Sequence, residues 1–226
     1  MIALIDYKAG NLTSVKKALA TIGADVFVPE GPEALRDAQG IIVPGVGHFG
    51  ATRALDAGWI EGILERIGEG RPLLGICLGM QWLFEGSDEA PGVPGLGLMP
   101  GRCYRLGEVR LKPDTTDGHV PKTDSADVGS TRLEADREIK IPHVGWNTLS
   151  VQRETSILEG VADQAHVYFT HSYVAPLTSE TVATAEHGEP FTAVVQRANI
   201  AGVQFHPEKS GEVGLRILRN FVQLAG

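Results

Sequence analysis

Apolar positions recur along the first half of the chain in two alternating patterns. Short continuous apolar runs occur at Met1-Ile5, Asp25-Val28, Gly40-Val43 and Leu73-Ile76. Between them, apolar residues return at helical spacing. Leu12, Val15, Leu19 and Ile22 share one face of a helix for which Asn11 is a plausible N-cap. Ile60, Ile63, Leu64 and Ile67 share one face of another. Continuous apolar runs are the mark of strands buried on both faces, and alternation with helices implies crossover connections. The expected fold class is therefore α/β, an open, mostly parallel central sheet with helices on both faces.

The second half reads differently. Ala90 to Gly101 is rich in Gly and Pro and reads as surface chain. The stretch from about Lys112 to Glu138 is polar, with Asp-Gly at Asp117-Gly118, and is expected to be an exposed loop or hairpin inserted into the domain. After Trp146 come strand candidates at Val167-Phe169, Thr181-Ala185, Ala193-Gln196 and Ile200-Gln204, which predict an antiparallel portion. A last helix turns Ile217, Leu218, Phe221 and Val222 inward. No repeat or linker divides the chain, so residues 1–226 are expected to form a single domain.

Composition narrows the function. A net charge of −8 argues against non-specific nucleic-acid binding. No run is apolar and long enough to span a bilayer, and the first residues are too short and wrongly flanked for a signal peptide. The two cysteines, Cys77 and Cys103, fit a reducing compartment and offer no metal-ligand spacing. A cytoplasmic protein without metal or cofactor is expected.

The strongest chemical signal is Gly75-Ile76-Cys77-Leu78-Gly79, behind Leu73-Leu74 and ahead of Met80-Gln81-Trp82-Leu83-Phe84. It reads as strand, sharp turn and helix, with cysteine at the turn. Flanking glycines let the backbone bend, and a helix N-terminus favours a thiolate. An apolar-flanked cysteine is more often simply buried, but a core cysteine does not need glycine on both sides. Downstream, His206-Pro207-Glu208 follows a strand candidate. Residues two apart on extended chain share a side, so Glu208 can reach one imidazole nitrogen of His206. Cysteine, histidine and a carboxylate are the parts of a cysteine triad. His119, His166 and His187 lack such a context and read as structural or solvated.

Gly45-Val46-Gly47-His48-Phe49-Gly50 matches the dinucleotide fingerprint G-x-G-x-x-G. It follows the third strand candidate, not the first, and Glu61 and Glu65 lie in a helical pattern where a strand-end acid is needed. Its better use is as bare backbone beside Cys77, with the N–H groups of Val46 and Leu78 forming an oxyanion hole. Glycines flank Val46, so the Gly45–Val46 peptide can rotate at modest cost.

The elbow and the His-Pro-Glu segment together resemble the triad (class I) glutamine amidotransferases. Further segments look like the glutaminase subunits of imidazole glycerol phosphate synthase. These are Asp6-Tyr7-Lys8-Ala9-Gly10-Asn11-Leu12, Pro44-Gly45-Val46-Gly47, Gly95-Leu96-Gly97, Pro142-His143-Val144-Gly145-Trp146-Asn147, Tyr168-Phe169-Thr170-His171-Ser172-Tyr173 and Gly202 through Ser210. The segment between Val109 and Ile141 is longer than that family usually has. The resemblance implies glutamine hydrolysis by Cys77, His206 and Glu208. It implies substrate binding by Gly47, Gln81, Ser172 and Tyr173. It also implies ammonia delivery to a (β/α)8-barrel synthase subunit in histidine biosynthesis, across an interface that includes Tyr7, Asn11, Trp146, Tyr168 and Lys209. Two alternatives stay open: a glutaminase component of pyridoxal phosphate or anthranilate synthesis, and a catalytically silent binding protein on the same fold. The intact Cys77, His206 and Glu208 weigh against the silent protein.

Overall fold

The four apolar runs of the first half lie side by side in one sheet. The computed structural model describes residues 1–10, 12–107 and 139–226. Strands β1 (Ile2–Leu4), β2 (Val26–Phe27), β3 (Gly40–Val43) and β4 (Leu73–Ile76) pair in parallel in the order β2-β1-β3-β4. Two small strands, β5 (Gly86–Ser87) and β6 (Arg102–Arg105), follow outside this sheet. The second half adds β7 (His143–Thr148), β8 (Ser150–Val151), β9 (His166–His171), β10 (Tyr173–Val174), β11 (Thr181–Glu186), β12 (Pro190–Arg197) and β13 (Ile200–Val203). Strand β13 pairs in parallel with β4, and the sheet then continues antiparallel through β12, β11 and β8. This is the expected mostly parallel sheet with an antiparallel portion. A three-stranded sheet, β10-β6-β5, and a two-stranded one, β7-β9, stand apart from it.

Alternation along the buried strands sends side chains into two cores, one on each face. Ile2 and Leu4 of β1, Ile42 of β3, and Leu74 and Ile76 of β4 face one core. That core is closed by helix α1 (Leu12–Thr21), through Val15 and Leu19, and by the C-terminal helix α4 (Gly211–Ala225), through Ile217, Leu218 and Phe221. Ala3, Ile5, Ile41, Val43 and Leu73 face the other core, closed by helix α2 (Ala57–Gly68) and by the short helix α3 (Leu78–Trp82). Asp56 caps α2, its carboxylate accepting from the N–H groups of Gly58 and Trp59.

Three local features bear on the expectations. Leu64, expected to share one face of α2 with Ile60, Ile63 and Ile67, is 40% exposed while Ile63 carries the burial, so the buried stripe of the helix is narrow. The segment after Gly45-Val46-Gly47 forms a 3-10 turn, Phe49–Ala54, and no α-helix. His187 is structural, one of the two roles expected for it: its ring stacks on His143 at 4.1 Å. The expected insertion at about Lys112 to Glu138, with His119, lies outside the described residues, as does Asn11.

Strands β7 and β9 carry a buried histidine pair. The Tyr173 carbonyl can only accept, so His171 donates to it from Nδ1 at 3.1 Å and keeps an acceptor at Nε2. His143 then donates from Nδ1 to that Nε2, also at 3.1 Å. The Asn147 amide sits 3.3 Å from His143 Nε2 and also donates to the Glu186 carbonyl at 2.8 Å. Every position of this chain is filled with both rings neutral. Burial, reinforced by neighbouring His187, lowers the His143 pKa to about 4; burial, reinforced by His143, lowers that of His171 to about 3. Both values lie below the unfolded value of about 6.5. The unfolded chain therefore takes up protons first, and this part of the stability is complete above about pH 6.5 and is lost as pH falls toward 4. The thermal midpoint should decline between pH 7 and pH 5, and His143→Gln, which keeps polar atoms but cannot take the proton, should flatten the decline. Parallel curves for the two proteins would contradict this origin.

Candidate functional site

Strand β4 lies between β3 and β13, so the chain leaving all three carboxyl ends converges on one spot. Cys77 follows β4 directly, the Pro44-Gly45-Val46-Gly47 segment follows β3, and His206 lies just beyond β13. Cys77 has φ 52 and ψ −104, a sparsely populated conformation for a residue with a side chain. It is held by the Cys77 N–H donating to the Val203 carbonyl at 2.7 Å. Glycine on both sides is a packing requirement. A Cβ on Gly79 would collide with the Val43 carbonyl, and one on Gly75 would lie 2.6 Å from the Gly79 carbonyl oxygen. Helix α3 can thus sit hard against the sheet. It is only five residues long, so the dipole expected behind Cys77 comes from little more than one turn.

The three residues expected to form a triad lie together. His206 Nδ1 and Glu208 Oε1 are 2.8 Å apart, with both side chains buried. His206 Nε2 is buried, carries no hydrogen bond, and lies beside Cys77. Burial alone would lower the imidazole pKa. The interactions with Cys77 and Glu208 outweigh it and raise the value to about 9, so a proton passed from the Cys77 thiol is held on the ring. The Cys77 Sγ has two polar neighbours, the Thr170 carbonyl at 3.9 Å and Gln204 Nε2 at 3.6 Å.

A cavity of about 280 Å³ opens on the sulfur. The expected substrate residues Gly47, Gln81, Ser172 and Tyr173 all line it. Gln81 is fixed by donating from Nε2 to the Tyr173 carbonyl at 2.8 Å and to Gln204 Oε1 at 3.1 Å. The two N–H groups expected to form an oxyanion hole are engaged elsewhere. Leu78 N–H donates to the Gly45 carbonyl at 3.3 Å, and Val46 N–H points away, to the Ala9 carbonyl at 3.2 Å.

Three contributors escaped the sequence reading. Glu89 lines the cavity and accepts the Phe49 N–H at 2.6 Å; nothing in its local sequence marks it. Gln204 is fully buried beside the sulfur, and a polar residue between Val203 and Phe205 was the available signal. Ser210 Oγ donates to the His206 carbonyl at 2.7 Å and accepts the Tyr168 N–H at 2.9 Å, which ties the histidine loop to β9.

Of the residues expected at a partner surface, Trp146, Tyr168 and Lys209 cluster on the outer side of β7 and β9. Trp146 packs edge-on to Tyr168, and the Lys209 ammonium lies 5.8 Å from the centre of the Tyr168 ring. Trp146 is 57% exposed and neighbouring Val144 56%. Tyr7 departs from that expectation: it is only 6% exposed, because the turn after β1 folds its ring under Gly45 into the core. Asn11 lies outside the described residues.

Comparison with known proteins agrees with this geometry. The family model for glutamine amidotransferase class-I matches residues 3–224. A protein of Methanothermobacter thermautotrophicus named imidazole glycerol phosphate synthase subunit HisH is 42% identical over 225 residues, 99% of this chain and 98% of that protein. A Bacillus subtilis protein of the same name is also 42% identical, over 229 residues, 100% of this chain and 97% of that protein. Among solved structures, one described as a glutamine amidotransferase superimposes with a TM-score of 0.68 at 21% identity, covering 100% of both chains. PurLQS from Thermotoga maritima gives 0.66 at 15% identity, covering 98% of this chain and 97% of that one. At these identities the superpositions speak for the fold alone, whereas the family match and the full-length relatives speak for descent. The chain belongs to the class-I glutamine amidotransferase family and, within it, to the group named imidazole glycerol phosphate synthase subunit HisH.

Proposed function

We propose that the chain hydrolyses glutamine to glutamate and ammonia as the glutaminase subunit of imidazole glycerol phosphate synthase, a cytoplasmic enzyme of histidine biosynthesis. The carrying observation is His206, bonded to Glu208 through Nδ1 at 2.8 Å with its Nε2 unpartnered beside Cys77. His206 takes the thiol proton at Nε2, and the Cys77 sulfur attacks the side-chain amide carbon. The tetrahedral intermediate collapses as His206 protonates the departing nitrogen, which leaves as ammonia, and a thioester remains on Cys77. His206 then takes a proton from water, which attacks the thioester and releases glutamate. Glu208 holds the ring and offsets its positive charge. No metal or cofactor enters these steps.

Charge and shape support the substrate. Gly47, Gln81, Ser172 and Tyr173 line the cavity, and the half-buried Glu89 carboxylate suits the α-ammonium of glutamine. On this reading the chain acts as a single amidotransferase domain, its segment at about 112–138 takes no part in the chemistry, and ammonia passes to a (β/α)8-barrel synthase subunit. That subunit makes imidazole glycerol phosphate and aminoimidazole carboxamide ribotide. The exposed Val144 and Trp146, with Tyr168 and Lys209 beside them, form an apolar and aromatic patch of the kind that anchors interfaces.

The peptide between Gly45 and Val46 acts as the gate. In the orientation described, its carbonyl occupies the Leu78 N–H, and no oxyanion donor faces the sulfur. Rotation of this one peptide would release Leu78 and turn the Val46 N–H inward, completing the hole. A partner that binds the rotated state better would switch hydrolysis on.

Cys77→Ser should cut glutamine hydrolysis at least a thousandfold, since removing one triad member can cost about a millionfold. Synthesis by the assembled complex supplied with ammonia should survive. Steady-state assays with each nitrogen source test this, and residual glutaminase activity above roughly a tenth of wild type would overturn the assignment. His206→Ala should lower turnover at saturating glutamine further than Glu208→Gln, because His206 moves the proton and Glu208 only orients it. The reverse order would contradict the two roles.

A further inference from the structure

Tyr7 carries a polar atom that the resting fold does not use. Its ring is buried among apolar residues, and its hydroxyl oxygen has no hydrogen-bond partner. Burial and the neighbouring Cys77 hold the phenol well above its ordinary range, so it keeps its proton and can donate. Phenylalanine would fill the same space without a stranded hydroxyl, which is costly when buried.

The surroundings indicate when the hydroxyl would find a partner. A Cβ built on Gly45 would collide with the Tyr7 hydroxyl and lie 3.3 Å from the Ala9 carbonyl oxygen. The phenol and the Ala9 carbonyl therefore abut the same side of Gly45, and glycine there leaves room for the hydroxyl. In the resting arrangement the Ala9 carbonyl accepts the Val46 N–H and the Gly45 carbonyl accepts the Leu78 N–H. Rotation of the Gly45–Val46 peptide exchanges its two ends. The N–H leaves Ala9, and the Gly45 carbonyl swings toward the side that the N–H vacated. Two carbonyl oxygens then face each other in a dry site, an arrangement that is costly without a donor between them.

We infer that the Tyr7 hydroxyl is that donor, a positioning residue that receives the rotated Gly45 carbonyl and so makes the complete oxyanion hole accessible. The inference rests on the gating proposed above and adds the group that stabilises the open state. Tyr7 touches neither substrate nor the reacting atoms. It acts by setting how often the Val46 N–H faces the sulfur.

The test is Tyr7→Phe in the complex with the barrel subunit saturated with its phosphoribulosyl substrate. Loss of the hydrogen bond in the open state should lower kcat for glutamine about tenfold, the effect of a buried carbonyl left without its donor. KM for glutamine should stay within about twofold, since an interaction made only in the active arrangement affects turnover. The thermal midpoint of the variant should equal or exceed that of wild type, because the resting fold loses only an unpartnered hydroxyl. With 15N-labelled valine, the Val46 amide resonance should move when wild type is activated and remain near its resting position in the variant. A variant as fast as wild type in a complex that is itself activated would overturn the role of Tyr7 and leave the gate intact. A lowered thermal midpoint with raised KM would mark a merely structural residue and overturn it as well. If the wild-type complex is no faster than the chain alone, the gate fails and this inference fails with it.

Discussion

The pairing of β4 between β3 and β13 is the constraint on which the site depends. Register fixes Val203 opposite Ile76 and Val43 opposite Gly75, so three chain segments leave the sheet side by side. One carries Cys77, the proposed nucleophile, one His206 with Glu208, and one a bare backbone. None of the three needs to find the others through long side chains. The continuous apolar character of β3, β4 and β13 is therefore a functional requirement as well as a source of stability, because a slip of one residue would turn every side chain to the opposite face. The two cores on either side lock that register.

The elbow turns this constraint into chemistry. Cys77 is held in an unfavourable conformation, and sparsely populated backbone of this kind costs about 1–3 kcal/mol. The close approach of Gly79 to the Val43 carbonyl and the bond from Cys77 N–H to Val203 over-determine the turn. The same tight packing sets Leu78 N–H against the Gly45 carbonyl. On the proposed reading, a site with its three side chains in place still lacks its oxyanion donors, through one peptide orientation. A missing oxyanion donor is worth about a hundred- to a thousandfold in rate, so the proposed gate would place the difference between a resting and a working enzyme in the backbone between two glycines. The outer side of β7 and β9, with Trp146 and Tyr168, continues through β9 and Ser210 to the His206 loop, a direct physical route from the proposed partner face to the catalytic base.

Much of this was legible before the fold was known, for identifiable reasons. Gly40–Val43 and Leu73–Ile76 were read to the residue because strands buried on both faces leave a continuous apolar trace. The placing of Cys77, His206 and Glu208 was legible because the signals are local: an elbow needs adjacent glycines, and a histidine with a carboxylate two positions on needs only an extended segment. Residues whose roles come from distant parts of the chain were not. Glu89 reaches the cavity only through the packing of its loop against Phe49. Gln204 is recognisable once β13 is known to run beneath the sulfur. Tyr7 was expected at the partner surface, yet the turn after β1 buries it, and no local pattern distinguishes a ring folded under Gly45 from one turned outward. Leu64 failed for a related reason: helical periodicity gives a face but not how wide a stripe of it is buried.

The central claim is that this triad is ready and its oxyanion hole is closed until a partner opens it. The most direct measurement is steady-state glutamine hydrolysis by the purified chain, alone and then with the barrel synthase subunit saturated with its phosphoribulosyl substrate. A closed hole predicts slow turnover by the chain alone and a rise of about a hundredfold or more in the complex, carried mainly by kcat. A chain that already hydrolyses glutamine alone as fast as the complex does would contradict the account.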